Sequence, residues 1–260
     1  MPGLGPPLPS CHIRIRTLSA AATRSRRWSG SATAASACTP APFEPYWYSA
    51  DLDFSAIDGL SRSEALSIVA LAASACRRRL ELPTLDVSND EGTTAWLTYV
   101  GPLASSPRRL KLDISDTELV EAHRRVALHA RWPDVPQATA IEAYTLDEVC
   151  AEKLRCIAER LQCRDLYDLH QLFDGNHIDP LEAWELYLRK AANDLAQSKQ
   201  RTPPRQWAGT FTRRLDAYKR HWDREPREYI PSELPAFGSI ERELKRQLGP
   251  VLAAANALAT

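Results

Sequence analysis

The 260-residue sequence has no Cys-x-x-Cys pair, and none of its six cysteines stands near a histidine at metal-ligand spacing. That argues against a disulfide scaffold and against a zinc site. Cys156 and Cys163, two helical turns apart, read as small apolar packing residues, in keeping with a reducing cytoplasm. Long apolar runs are missing too. Leu66 to Cys76 is too short to span a membrane and leads into Arg77-Arg78-Arg79, so it reads as a buried helix. Net charge is absent, with 33 basic against 33 acidic residues, so any attraction for nucleic acid must come from charge segregated along the chain. No acidic residue precedes Glu44. Residues 1–42 are rich in Ala, Ser, Thr, Pro and Arg and show no useful helical or strand periodicity. They are expected to be a disordered leader or a stretch read in the wrong frame, with an organelle-targeting segment as the other reading.

What is present is an ordinary globular composition, 44% apolar and 25% charged, enough for one large domain or two modest ones. The organising stretch is Ser49-Ala50-Asp51-Leu52-Asp53-Phe54-Ser55. As a strand, its period of two sets Asp51 and Asp53 on one face and Leu52 and Phe54 on the other. Two carboxylates held that close repel unless a divalent ion lies between them, and hard oxygen ligands suit Mg2+ carried in with a nucleotide's phosphates. Asp-x-Asp is also common in loops and calcium sites, so the tripeptide decides nothing by itself.

Downstream, Ser61 with Glu64 forms a capping box that opens a helix to about Arg79. Three strand candidates follow, Leu82 to Ser88, Thr93 to Val100 and Leu110 to Ser115, joined by hairpin-length connections. The pattern predicts a mixed or antiparallel sheet with a helix laid on it, an α+β arrangement. In the third strand Leu110, Leu112 and Ile114 alternate with Lys111 and Asp113. Beside the first strand, Asp113 would join Asp51 and Asp53 in the geometry of a metal-dependent phosphoryl or nucleotidyl transfer; otherwise it sits on the wet face of an edge strand. Residues 117–140, with Trp132-Pro133 and Val135-Pro136, are expected to cross the surface. A short strand, Ile141 to Tyr144, then meets Thr145, a helix cap with Glu148 three residues on. The helix carries the apolar stripe Leu146, Val149, Leu154, Ile157, Leu161, with Glu152, Lys153 and Arg160 at or beyond its margin. Lys153 either reaches a phosphate across a cleft or solvates a surface. In Arg164-Asp165-Leu166-Tyr167-Asp168-Leu169 the two acids share one helical face and are either solvated or employed.

Taken together and in order, Tyr48-Ser49-Ala50-Asp51-Leu52-Asp53-Phe54, Lys111-Leu112-Asp113, the Leu146 to Leu154 helix and the Arg164 to Leu169 segment resemble the AbiEii/AbiGii-type toxin nucleotidyltransferase family. The likeness runs from about Phe43 to Phe173. It implies a DNA polymerase β-like nucleotidyltransferase fold and the toxin half of a toxin–antitoxin or phage-defence pair, with a cognate antitoxin encoded nearby. It also implies NTP as substrate, Mg2+ held by Asp51, Asp53 and Asp113, and RNA, of the tRNA class, as acceptor. By the same match Ser49 and Lys111 bind nucleotide, Lys153 holds phosphate, and Asp165, with Asp168 and Arg164 near it, completes or organises the site. The family's upstream Gly-Gly-Thr-Ala-Leu or Gly-Ser element is represented only by Trp28-Ser29-Gly30-Ser31-Ala32, and Trp47 stands where an arginine is usual. A second expectation follows from that departure: a catalytically impaired relative that binds RNA or a partner. Transfer to a protein or small molecule is a further enzymatic alternative.

Beyond Asp179 the pattern is helical, with helices predicted over Leu181 to Leu195 and Phe211 to Trp222. Basic residues from Arg189 to Arg224 outnumber the acids Asp194, Asp216 and Asp223. Interleaved with Trp207, Tyr218 and Trp222, they would make a basic, base-stacking face for RNA, or else an ordinary solvated helix surface. The expected organisation is a leader (1–42), a nucleotidyltransferase domain (43–175) and a helical domain (176–260) of a cytoplasmic protein, with no membrane association and no DNA-specific motif.

Overall fold

The computed structural model describes residues 14–16, 51–56, 59–89, 94–101, 106–127, 140–174, 178–226 and 234–259, with the backbone alone at 14–16, 51, 126, 127, 140 and 141. The chain divides into two compact units, Met1–Glu118 with His123–Ala143, and Leu119–Ala122 with Tyr144–Thr260.

In the first unit alternation does the work. Strands β1 (Arg14–Arg16), β2 (Asp51–Ser55), β3 (Leu85–Asn89), β4 (Thr94–Tyr99), β5 (Arg108–Ser115), β6 (His123–Ala127) and β7 (Ala140–Tyr144) form a seven-stranded sheet in the order β3-β4-β5-β2-β1-β7-β6. Helix α1 (Arg62–Arg79) starts where expected, at the Ser61–Glu64 capping box, and ends on Arg77, Arg78 and Arg79, which complement the helix dipole. Gly59 makes the preceding turn with φ of 76°, a left-handed conformation that glycine adopts without strain. Ala65, Ile68 and Val69 of α1 pack on Leu52 and Phe54 of β2, Ala95 of β4, and Leu112 and Ile114 of β5. Each of the large side chains so buried is worth roughly 1.5–3 kcal/mol.

Strands β3, β4 and β5 run antiparallel in succession, but β5 lies parallel to β2, and so does β1. A parallel pair needs a long crossover, supplied here by α1 and the β3–β4 hairpin. The sheet is therefore mixed. Two strands lie where the sequence pattern predicts none. Arg14–Arg16, inside the segment expected to be a leader, pairs with both β2 and β7. Three residues are too few for alternation to show. His123–Ala127 is likewise a strand, in a stretch expected to be a surface crossing. Cys11, Cys38, Trp47, Ser49 and residues 28–32 and 132–136 lie outside the described residues.

The second unit is helical: α2 (Leu146–Glu159), α3 (Cys163–Asp174), α4 (Pro180–Ala196), α5 (Trp207–His221), α6 (Phe237–Gln247) and α7 (Gly249–Ala257). Thr145 caps α2 through its side chain, accepting from the Glu148 amide, and Asp179 caps α4, whose first residue is Pro180. Its core is aromatic. Trp184, Tyr187, Trp207 and Phe211 lie ring to ring with centroids 5.1–5.5 Å apart, and Trp222 meets Phe237 at 5.6 Å. The buried indole N–H groups are satisfied, Trp207 donating to the Leu154 carbonyl at 2.7 Å and Trp222 to that of Pro235 at 2.8 Å.

This corrects the expected base-stacking face. Trp207, Tyr218 and Trp222 are 0%, 0% and 1% exposed and hold helices together, so they present no ring to an RNA. Several of the basic residues around them are also engaged within the unit, Arg201 with Asp194 and Glu159, and Arg214 with the Ile157 and Arg160 carbonyls. Cys150, Cys156 and Cys163 are buried free thiols, and burial pushes the Cys150 thiol up. No helix among the described residues is long and apolar enough to cross a membrane.

Candidate active site

The first group of polar residues lies on the face of the sheet opposite α1. Leu52, Phe54, Leu112 and Ile114 point into the core, so period two turns Asp53, Lys111 and Asp113 the other way. Parallel pairing of β2 and β5 sets Asp51 against Lys111 and Asp53 against Asp113. The structure thus decides what the alternation of β5 left open: Asp113 stands on an interior strand, beside Asp53. Asp53 is buried, at 8% exposure, and Asp113 is about one-third exposed. The Asp113 carboxylate accepts from Thr94 Oγ1 at 2.9 Å and from Lys111 Nζ at 2.5 Å. Carboxylates directly opposite on neighbouring strands destabilise the pair, and Lys111 offsets part of that repulsion. Two residues on, the buried Ser55 hydroxyl donates to Glu118 at 2.7 Å. Thr94 and Glu118 escaped the sequence reading because only strand register and chain reversal bring them here.

These donors are all hard oxygens, the set that fits Mg2+ and does not suit zinc. Among the described residues, Asp53 and Asp113 supply two carboxylates, and no cluster of three His, Cys, Asp or Glu side chains forms a metal-binding group.

The second group lies within the helical unit, between α2 and α3. Lys153 and Glu152, expected at the margin of the α2 stripe, are 5% and 6% exposed, whereas Leu161, assigned to the stripe, falls past the helix end and is 37% exposed. Burying an ammonium requires partners, and Lys153 has two: Asp165 at 3.1 Å and Asp168 in direct contact. So Asp165 and Asp168 are employed, not solvated. Arg160 completes the cluster with a fork onto Asp165, Nε to Oδ2 at 2.7 Å and Nη2 to Oδ1 at 2.8 Å. Burial alone would raise the Asp165 carboxyl, but Lys153 and Arg160 outweigh it and hold the group well below the usual carboxylate range. Burial opposes charge on Lys153 too, yet Asp168 and Asp165 prevail and push it upward. Two cations and two anions make the cluster neutral. Arg164, named by the sequence motif, turns its Nε to Gln162 at 2.9 Å, and Arg160 takes the place beside Asp165. Its signal was its position at the C-cap of α2, five residues before the acid.

A further buried node had no sequence warning. Lys190 of α4 donates to Glu148 at 2.7 Å, to Glu152 at 3.1 Å and to the Leu119 carbonyl at 2.7 Å. Glu148 also accepts from the amides of Glu121 and Ala122 at 2.5 and 3.1 Å, tying residues 119–122 to α2.

The sequence profile of one family, described as nucleotidyl transferase AbiEii toxin, type IV toxin–antitoxin system, matches residues 45–243. The chain belongs to that family. As an AbiEii-family protein it is a nucleotidyltransferase of the toxin class. Among solved structures it is similar to MenT4, a nucleotidyltransferase toxin from Mycobacterium tuberculosis, with 18% identity, a TM-score of 0.63, and coverage of 97% of this chain and 80% of that one. That likeness supports the α+β nucleotidyltransferase fold. Two Helicobacter pylori structures, one of them JHP933, share 15% and 16% identity over about two-thirds of each chain, with TM-scores of 0.33 and 0.32, which carry no weight. No curated protein sequence matches the chain.

Proposed function

We propose that this AbiEii-family protein transfers a nucleotide from an NTP to the terminal hydroxyl of an RNA, of the tRNA class, and does so with Mg2+. The observation that carries the reading is the β2–β5 register, which sets Asp53 beside Asp113 on the polar face of the sheet. Asp51, Asp53 and Asp113 would hold the metal, which when bound neutralises triphosphate charge and favours the ionised acceptor hydroxyl. The acceptor oxygen forms a bond to the α-phosphorus as the bond to pyrophosphate breaks. Asp113 orients that hydroxyl or takes its proton, while Ser49 and Lys111 bind phosphate. Catalysis is mainly positioning and charge neutralisation. Lys153 is the proposed phosphate-holding cation of the helical unit, with Asp165, Asp168 and, in the place expected for Arg164, Arg160 organising it. With its charge shared between Asp165 and Asp168, the position of its ammonium is fixed before substrate arrives. By function, residues 43–175, which take in α2 and α3 of the helical unit, are proposed as the nucleotidyltransferase domain and 176–260 as the helical domain that follows. Action in the cytoplasm, restraint by a cognate antitoxin and a role in phage defence complete the proposal.

The test is transfer of radiolabel from NTP to tRNA by Asp51→Asn, Asp53→Asn and Asp113→Asn proteins whose circular dichroism matches the parent. Loss of transfer is expected in all three; full activity in any of them would sink the site assignment. Calorimetry with Mg-NTP on the parent separates the impaired relative, which binds RNA but no nucleotide.

A further inference from the structure

With Trp207, Tyr218 and Trp222 withdrawn into the helical core, a half-buried aromatic ring next to Asp113 on the carboxylate face of the sheet comes from β4. Trp96 of β4 pairs in register with Lys111 of β5 and with Ser88 of β3. Its neighbours Ala95 and Leu97 point to α1, so the indole lies on the opposite face, half-buried. The exposed Arg109 places its guanidinium carbon 4.2 Å from the centre of the ring. Thr94, two residues before Trp96 on β4, is the residue that holds Asp113.

We infer that Trp96 and Arg109 form a platform on which the terminal base of the acceptor RNA stacks, with Arg109 drawing its phosphates. The inference rests on the RNA-acceptor reading above and adds the residues that seat the acceptor. Three features carry it. A guanidinium layered on an indole is a flat, cationic surface, and unpaired RNA bases stack on both aromatic rings and arginine planes. The face changes sign along β5, from Arg109 and Lys111 to Asp113, so phosphate is drawn to one end and repelled from the other. The Trp96–Lys111 row lies two residues from the Asp113 row, about 7 Å along the strand, so a nucleotide on the platform brings its ribose toward the carboxylates.

The experiment measures anisotropy of a 5′-fluorescein-labelled single-stranded RNA with a free 3′ hydroxyl on the full chain without NTP, and in parallel KM for NTP and for tRNA in the transfer assay. Trp96→Ala should weaken RNA binding about tenfold or more and raise KM for tRNA in step, leaving KM for NTP within about twofold. Trp96→Phe should restore binding to within about threefold. Arg109→Ala, on the exposed layer, should weaken binding by a similar factor and flatten its salt dependence, which keeps the inference testable if Trp96→Ala fails to fold. Asp113→Asn should abolish transfer and keep RNA binding, so loss of the catalytic reading and loss of the platform are told apart. Unchanged RNA binding with a raised KM for NTP would move the ring to the incoming nucleotide's base and overturn the inference. Unchanged values throughout would make Trp96 a structural residue and overturn it as well.

Discussion

Lys153→Met tests the reasoning about the buried cluster most directly. The substitution keeps an unbranched side chain in a site that is 5% exposed but removes the cation shared by Asp165 and Asp168. Breaking a buried ion pair by deleting one partner costs about 3–5 kcal/mol, because the remaining charge stays buried without compensation. Arg160 stays on Asp165, which favours the lower end, so the expected loss is about 3 kcal/mol. For a chain of this size that corresponds to a Tm lower by about 6–12 °C. The assay is urea unfolding followed by far-UV circular dichroism across pH. Asp165 is held below its ordinary pKa, so its contribution is present above the unfolded value near 3.9 and is lost as pH falls through the folded one. Lys153 is raised, so its contribution is present below an unfolded value near 10.4 and is lost as pH climbs through the folded one. The gap between parent and variant is therefore widest from about pH 4 to about pH 10 and narrows in acid. Adding Asp168→Asn to Lys153→Met should recover about 1 kcal/mol of coupling. A loss below about 1 kcal/mol, or a gap that stays constant down to about pH 3, refutes the account of a cation required by its two acids.

Trp222→Ala should cost about 3–5 kcal/mol, measured by the same unfolding assay, because its ring fills the core against Phe237 and Tyr167 and its N–H holds Pro235. Thr145→Ala should cost about 1 kcal/mol by leaving the first turn of α2 without its cap, with transfer activity scaling only with the folded fraction. Chelation by EDTA should stop label transfer and leave the anisotropy of bound RNA unchanged, and added Mg2+ should restore transfer; transfer that survives chelation would remove the metal from the proposal.

Local features of the site were legible because their signals are local. The alternation in Asp51–Ser55 and Arg108–Ser115, and the caps at Ser61 and Thr145, each lie within a few residues of what they determine. The aromatic residues of α5 were misread for the opposite reason. A tryptophan next to arginines looks the same in sequence whether its ring faces RNA or Trp184, and only the packing of α4 against α5 separates the two. Lys153 was misplaced at a stripe margin because a buried lysine is tolerable only with acids from another helix, and periodicity within α2 carries no word of them.

The sequence by itself therefore determined the strands and helices that bear the chemistry, which faces of β2 and β5 are polar, and, through its ordered motifs, the AbiEii family. Tertiary structure alone decided that β2 and β5 lie side by side and parallel, that Asp53 meets Asp113, and that Thr94 holds the latter. It also decided that Trp96, not the helical tryptophans, stands on the polar face of the sheet. The physical reason is range. Propensity, capping and periodicity act over a few residues, while register, charge pairing and burial are chosen by the whole chain as it closes its core.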